Sequence, residues 1–241
     1  EDGGLRFAER RGGAWREPES VPAAQGGAPA VSAGSDGVID LVWSGFSELF
    51  ENFEIFHAEY REGAWSLPVN VSQSPGESFD PAIAVRADGV RMVVWSELAS
   101  GTALIYAAAA APGDEWASGP LPGAEGERPD VSVGVGWDVV WMDALSGSSE
   151  PVVAHMSHID GSWGFPQVLS TLGQPARDPV VVADSVGGRL AAWRQEGAGV
   201  LVSRARQGAW SQPRSVSGEA NVGPVGAPDA AIGSDGVPHV V

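Results

Sequence analysis

Charged residues directly before prolines are the first feature of this sequence that could do chemistry. Asp80 and Asp178 each precede a proline, and Arg128 precedes another proline between them. Two carboxyl groups facing one sugar are what acid/base hydrolysis of a glycosidic bond requires. An arginine between them would clamp an anionic group. The alternative is structural: an Asp before Pro caps a turn at the start of a strand, and Arg128 forms an ion pair with either aspartate.

These dipeptides belong to an internal repeat, which indicates the elements that must position them. The first signal is Trp-x-x-Pro, which starts at Trp15, Trp65, Trp163 and Trp210, with one additional residue in the copy at Trp116. The second signal joins a proline to a later tryptophan, in copies that start at Pro29, Pro81, Pro129, Pro179 and Pro228. Five copies of each signal predict five structural units.

Each unit is predicted to contain four strands. In the second copy these are Pro81–Ala87, Val90–Glu97, Ala103–Ala110 and a proline-bearing strand opened by Trp116, with a hairpin turn at Asp88-Gly89. A proline removes a backbone donor, so the fourth strand belongs at a sheet edge. Four strands at a period near 48 residues are typical of a β-propeller blade.

The two ends of the chain complete the count. Leu5–Arg11 aligns with the third strands of the other units, and Val237–Val241 aligns with the second strands. We therefore predict an all-β, five-bladed β-propeller with four antiparallel strands per blade, whose ring is closed by N- and C-terminal strands that share one blade. Residues 1–241 form one domain, with blades at approximately 28–72, 81–122, 129–170, 179–217, and 228–241 joined with 1–21.

The blade motif resembles a known repeat superfamily. Pro-x-x-Ala-x-x-x-Asp-Gly followed by Val-Val-Trp, as in Pro81–Trp95, resembles the sialidase-like (BNR-type) propeller repeats of bacterial extracellular proteins. The resemblance implies the architecture of the whole chain and an extracellular or cell-envelope location. It does not imply sialidase activity, because no intact Ser-x-Asp-x-Gly-x-x-Trp box is present and Tyr60 and Tyr106 fall on third strands. Five-bladed glycosidases of the arabinanase type are also similar, since they place carboxylates at first-strand starts.

Ligands of propellers favour the face where the innermost strands begin and the loops between second and third strands emerge. The residues that precede the first-strand prolines should ring the axis there: Ala28, Asp80, Arg128, Asp178 and Ala227. The predicted ligand-binding residues are Asp80, Arg128, Asp178, Arg177, Phe79, Glu97, Asp143 and Arg194, and the candidate catalytic residues are Asp80, Asp178 and Glu127. An aromatic loop at 44–53 is expected to overhang this face.

Composition excludes several kinds of site. Cysteine is absent, so neither a disulfide nor a thiolate site can form. His155 and His158 are three apart on a predicted strand and point to opposite faces, so we expect no metal and no cofactor. The net charge of −17 repels nucleic acid and anionic membranes, and no apolar run is long enough for a membrane span. The expected partner of this monomer is a carbohydrate or protein ligand.

Three functions remain open at the level of sequence. The leading expectation is a non-catalytic binding propeller that recognises a carbohydrate or a protein surface at its axial face, since near-symmetric blades favour binding over catalysis. The first alternative is a glycan-active hydrolase that uses the axial carboxylates. The second is a structural or assembly module.

Overall fold

The computed structural model describes residues 3–143, 150–206, 208–217, 226–233 and 235–241. Within these ranges the chain consists of antiparallel strands and turns, without a helix, which confirms the all-β prediction. No helix capable of crossing a membrane occurs in the described residues. The strands form successive four-stranded antiparallel sheets, as in the blades of a propeller.

Blade 1 begins at Gly27, two residues before the first proline of the repeat. Its strands are β5 (Gly27–Ala33), β6 (Ile39–Ser47), β7 (Asn52–Arg61) and an outer strand in two short pieces, β8 (Ala64–Trp65) and β9 (Val69–Asn70). Blade 2 consists of β10 (Glu77–Val85), β11 (Arg91–Ala99), β12 (Thr102–Ala110) and the first half of β13 (Ala117–Val133). Both blades therefore have the predicted order of strands.

Strand β13 passes from blade 2 into blade 3 and becomes the innermost strand there. Blade 3 continues with β14 (Trp137–Asp143), β15 (Val152–Ile159), β16 (Ser162–Trp163) and β17 (Gln167–Val168). Blade 4 consists of β18 (Ala176–Ala183), β19 (Gly188–Gln195), β20 (Gly199–Arg206), β21 (Ala209–Trp210) and β22 (Arg214–Ser215). In blades 1, 3 and 4 the outer strand is split in two because a proline between the pieces cannot donate to the ladder.

The ends of the chain form separate short ladders. Near the N-terminus, β1 (Gly4–Phe7) pairs with β4 (Glu19–Gln25), and β2 (Arg10–Arg11) pairs with β3 (Ala14–Trp15). Near the C-terminus, β23 (Ala230–Ile232) pairs with β24 (Pro238–Val240). The ladders between described residues do not include one from β24 to β1, so the closure of the ring as a fifth shared blade stays a prediction.

The core lies between the blades, where the repeated tryptophans pack. Trp43, Trp95, Trp141 and Trp193 are at most 1% exposed, and Trp95, Trp141 and Trp193 each pack in a cluster with residues of the preceding blade. Each is the fifth or sixth residue of the second strand of its blade. Because β-strand side chains alternate between faces, the same register buries an indole at each of these positions.

The hairpin turns between first and second strands also follow the repeat. In blade 2 the backbone N–H of Val90 donates to Asp88 Oδ1 at 3.2 Å, and Gly89 adopts a φ of +83°. Aspartate thus supplies a hydrogen-bond acceptor for the turn, and glycine adopts a backbone conformation that is unfavourable for other residues. The predicted aromatic loop at 44–53 is different: β6 and β7 extend through it as a regular hairpin, and only residues 48–51 form its turn.

Candidate functional site

The residues before the first-strand prolines share an unusual backbone conformation. Ala28, Asp80, Arg128 and Asp178 have φ values of +50°, +51°, +53° and +53°. The pairing register shifts at each of these positions, as in a β-bulge. A bulge changes the direction in which a side chain points. A positive φ is strained for a non-glycine residue, and such strain is concentrated at functional sites. The innermost strands of four blades thus present these four predicted residues at the same point of the repeat.

Arg128 and Asp178 are in direct contact across the boundary between blades 3 and 4. The guanidinium of Arg128 donates to Asp178 Oδ1, and Arg194 Nη2 lies 2.7 Å from Asp178 Oδ2. The side chain of Asp178 is 11% exposed, whereas that of Arg128 is 55% exposed. Two guanidinium groups therefore hold one carboxylate on both of its oxygens, with Arg128 facing solvent.

The contact continues as a seam between β13 and β18. The backbone N–H of Val181 donates to Asp130 Oδ2 at 2.8 Å, and the N–H of Ala183 donates to Ser132 Oγ at 3.0 Å. Arg128, Asp130 and Ser132 all contact β18; Asp130 and Ser132 are alternate residues of the regular strand beyond the bulge and so share one face. The side chains of blade 3 thereby satisfy the backbone donors of the inner edge of blade 4.

Asp130 has the most perturbed carboxyl group of this region. Burial raises the pKa of Asp130 to about 6. The hydrogen bond from the N–H of Val181 lowers this pKa, and the negative charge of Asp229 raises it by a smaller amount. Asp229 precedes β23 at the equivalent position of the repeat. Sequence reasoning missed Asp130; its position two residues after Arg128 on a strand was the signal that could have placed both on one face.

Three phenylalanines lie together beside Asp80. The ring of Phe79 lies 5.8 Å from that of Phe53, which in turn lies 5.8 Å from that of Phe46. Phe46 and Phe53 belong to the β6–β7 hairpin and are 57% and 41% exposed. The backbone N–H of Phe53 donates to Glu77 of blade 2 at 2.9 Å, which anchors the hairpin. The predicted aromatic overhang is therefore an exposed apolar surface next to Phe79.

Glu97 and Asp143 were predicted to bind ligand, but the structure buries both side chains away from the rim. Glu97 is 1% exposed and accepts hydrogen bonds from Trp95 Nε1 at 2.9 Å and Ser78 Oγ at 2.7 Å. Asp143 is also buried, and it accepts from Trp141 Nε1 at 3.1 Å. In both blades the residue two positions after the core tryptophan is the acceptor for its indole. Burial, opposed by that hydrogen bond and reinforced by Glu125, raises the pKa of Asp143.

The remaining predicted residues lie at the starts of the inner strands. Glu127 and Arg177 are exposed, and Asp80 is half-buried. Arg177 is the cross-strand neighbour of Arg194, which contacts Asp178. The structure thus brings Arg128, Asp178 and Arg194 together; Asp80 occupies the equivalent bulge of blade 2.

One further cluster has the composition of a metal site. Asp40, His57 and Glu59 offer ligand atoms within 4.8 Å of one another. However, Arg91 Nε lies 2.5 Å from Asp40 Oδ1, and its Nη2 lies 2.6 Å from Glu59 Oε1. The guanidinium thus takes the place of a cation, and the cluster is an ion-pair network between blades 1 and 2.

Comparisons with known proteins identify the architecture. No protein-family model matches the sequence, and no curated protein shows significant sequence similarity to it. Among solved structures, an α-L-arabinofuranosidase of family GH93 from Fusarium graminearum, in complex with arabinobiose, is similar with a TM-score of 0.64 at 15% identity, over 89% of this chain and 74% of that one. An α-L-arabinanase from Penicillium chrysogenum, complexed with arabinobiose, has a TM-score of 0.59 at 14% identity, over 87% and 73%.

A lectin is also similar. The fucose-recognising lectin of Aleuria aurantia, a six-bladed β-propeller, has a TM-score of 0.55 at 12% identity, over 89% of this chain and 70% of that one. The leading expectation of a non-catalytic binder is wrong, because the glycoside hydrolases among these neighbours favour a glycan-active enzyme instead. At these identities the likeness establishes the fold, and it agrees with the curled four-stranded sheets: the chain is an all-β protein with the β-propeller fold.

Proposed function

We propose that this protein is a glycan-active hydrolase whose active site lies at the starts of the inner strands of blades 3 and 4. The observation that carries the proposal is a pair of carboxyl groups in opposite environments on one seam. Burial raises the pKa of Asp130 to about 6, while Asp178 is held between Arg128 and Arg194. Carboxyl groups that differ in this way are typical of the acid and the base or nucleophile of glycosidases.

The spacing along β18 is compatible with these roles. Asp130 is hydrogen-bonded to the N–H of Val181, which lies three residues beyond Asp178. At roughly 3.3 Å per residue the two carboxyl groups are on the order of 10 Å apart, enough for a glycosidic bond and a water molecule between them. Asp130 would protonate the leaving oxygen, and Asp178 would activate the attacking water, as in the inverting mechanism. Arg128 and Arg194 would orient Asp178.

The substrate contacts would extend from this pair toward blade 2. Asp80 offers a further carboxylate at the equivalent bulge, and Phe79, Phe53 and Phe46 offer apolar faces on which sugar rings stack. Two similar structures contain arabinobiose. We therefore choose arabinobiose and longer α-L-arabino-oligosaccharides as the first substrates, followed by other neutral and acidic oligosaccharides.

The test is hydrolysis by wild type, Asp130→Asn and Asp178→Asn. Each variant should retain the fold and lose at least about 100-fold in kcat/KM, because general acid and base catalysis each contribute 10²–10⁴-fold. The matched control is Asp160→Asn, a turn residue with φ of +52° that asparagine tolerates. The absence of turnover by wild type across these substrates, or full activity of both variants, would refute the proposal.

Two further features are proposed with it. The five repeat copies support a five-bladed ring in which β24 and β1 belong to one blade, and a disulfide engineered between these two ends of the chain would test this closure. A hydrolase of polymeric glycans acts where its substrate lies, so we also propose an extracellular or cell-envelope location, which fractionation of the native host would test.

A further inference from the structure

The contacts between neighbouring blades are of two kinds. Where blade 2 meets blade 3, Met92 and Ile105 pack with Trp137 and Val139 in an apolar cluster. Where blade 1 meets blade 2, the outer part of the contact is polar. There, His57 Nε2 lies 2.8 Å from Asp40 Oδ1, and Arg91 contacts the same oxygen from blade 2. Trp116 of blade 2 packs against the ring of His57, with 5.1 Å between centroids.

The polar contact recurs where blade 3 meets blade 4. Asp138, His155 and Arg189 each lie 98 positions after Asp40, His57 and Arg91, and Trp210 takes the part of Trp116. His155 Nε2 lies 2.8 Å from Asp138 Oδ1, and Arg189 Nε lies 3.0 Å from Asp138 Oδ2. The same four residue types therefore build both contacts.

The contact between blades 3 and 4 is closed by two additional hydrogen bonds. Trp210 Nε1 donates to His155 Nδ1 at 3.2 Å, and Ser157 Oγ donates to Asp138 Oδ1 at 2.7 Å. At the equivalent positions between blades 1 and 2, Glu59 replaces Ser157, and within the described residues Trp116 donates no such hydrogen bond to His57. The contact between blades 1 and 2 is therefore more open than the contact between blades 3 and 4.

A cavity of about 620 Å³ lies between blades 1 and 2. Its lining includes His57, Glu59, Gln73, Arg91, Asp114 and Trp116. The volume lies within the range of small-ligand sites. Glu59 accepts hydrogen bonds, Gln73 both donates and accepts, and Trp116 provides an apolar ring. Carboxylates outnumber the single guanidinium, so the cavity disfavours anions.

We infer that this cavity, which we call the interblade cleft, binds one or two units of a neutral sugar. Glu59 would accept from sugar hydroxyls, Arg91 would donate to them, and Trp116 would contact the apolar face of the ring. The cleft lies among the outer strands and uses no residue of the Asp130–Asp178 seam. Binding there is therefore independent of hydrolysis, and would hold a polymeric glycan on the protein.

Ligand-observed NMR titrations with L-arabinose, L-fucose and D-galactose, and with D-glucuronate as the anionic comparison, would test the cleft. Wild type should bind at least one neutral sugar and bind D-glucuronate more weakly. Glu59→Gln keeps the shape of the side chain and removes its charge, and Trp116→Leu removes the ring. Each should weaken binding of the neutral sugar at least about 10-fold.

Two controls separate the cleft from the rest of the protein. Trp163→Leu removes the corresponding tryptophan of blade 3, which packs against His158 at the apolar contact with blade 2, and should leave affinity unchanged. Asp178→Asn should abolish hydrolysis but not this binding. No binding of any neutral sugar by wild type, or equal affinity of Glu59→Gln and wild type, would overturn the inference, whether or not hydrolysis is observed. Circular dichroism would confirm that each variant is folded.

Discussion

Arg128 and Asp178 occupy the same position of successive blades, and their side chains form an ion pair across the boundary between them. Both residues precede the first proline of an inner strand, and both have positive φ. The strained backbone thus turns two complementary charges toward each other. Because Arg194 also binds Asp178, the pair has the features of a positioned carboxylate.

Arg128→Ala should reduce catalysis much more than stability. The guanidinium is 55% exposed, and exposed ion pairs typically contribute less than about 1 kcal/mol to the free energy of unfolding. Loss of the donor that orients Asp178 should nevertheless lower kcat at least about 10-fold. Urea unfolding and initial rates would measure both quantities. Arg86→Ala, which breaks the exposed pair with Asp88, is the control, and a comparable loss of activity there would remove the special role of Arg128.

The raised pKa of Asp130 predicts how stability depends on pH. The folded protein keeps this proton up to about pH 6, whereas an unperturbed aspartate loses it near 3.8. Between these values the folded state binds more protons than the unfolded state, so the contribution to the free energy of unfolding falls as pH rises. At 1.36 kcal/mol per unit, the total loss is about 3 kcal/mol.

Asp130→Asn should remove this pH dependence. The amide oxygen can still accept from Val181, while no charge has to be buried above pH 6. We expect the variant to be more stable than wild type at pH 7.5 and to be inactive. Urea unfolding between pH 4 and 8 would measure the first effect. Equal or lower stability of Asp130→Asn at pH 7.5 would show that burial of this carboxylate is not costly.

Catalysis should depend on the same proton. If Asp130 is the acid, kcat/KM for an oligosaccharide should fall as pH rises above about 6. A pH–rate profile of wild type between pH 4 and 8 would test this. Activity that stays constant up to pH 8 would assign proton donation to another group.

Trp95→Ala should destabilise the protein by about 3–5 kcal/mol, the usual range for truncating a buried aromatic side chain. Trp95 is fully buried, and its loss also removes the indole donor of Glu97. Trp15→Ala is the control, because Trp15 is 71% exposed and should change stability by less than about 0.5 kcal/mol. Similar melting temperatures of the two variants would contradict the assignment of Trp95 to the core.

The absence of cysteine allows a direct test of ring closure. In blade 1, Leu41 of the second strand is paired with Ala58 of the third. The corresponding residues of the shared blade are Val240 and Ala8, so cysteines at these two positions should form a disulfide if β24 pairs with β1. Thiol titration and mass spectrometry would detect the bond.

The closure test needs a matched pair of cysteines. Ala8→Cys combined with Val186→Cys, on an exposed turn of blade 4, should remain reduced under the same conditions. Failure of the Ala8–Val240 pair to oxidise would contradict the shared blade and with it the count of five.

Local patterns were sufficient to predict the order of the strands in the described blades. A tryptophan 14 residues after a proline, with Asp-Gly between them, specifies two strands and their turn, since strand alternation and turn chemistry act over neighbouring residues. The same strand register buries Trp43, Trp95, Trp141 and Trp193 in the core. The ion pair between Arg128 and an aspartate, which the sequence left open as the structural alternative to a ligand clamp, is present in the structure.

Contacts between blades were decided only by the tertiary structure. Glu97 and Asp143 each lie two residues after a buried tryptophan, and the sequence does not show which way their side chains point. In the structure each accepts a hydrogen bond from the indole N–H of that tryptophan instead of facing a ligand. Asp130 acquires its raised pKa from the burial that the packed blades impose, with β18 providing an N–H at its carboxyl group. The link from Asp40 to Arg91 likewise joins residues 51 positions apart. Hydrogen-bond distance and burial depend on how whole sheets pack, and a repeat specifies its own strands without specifying which side chains meet across the boundary.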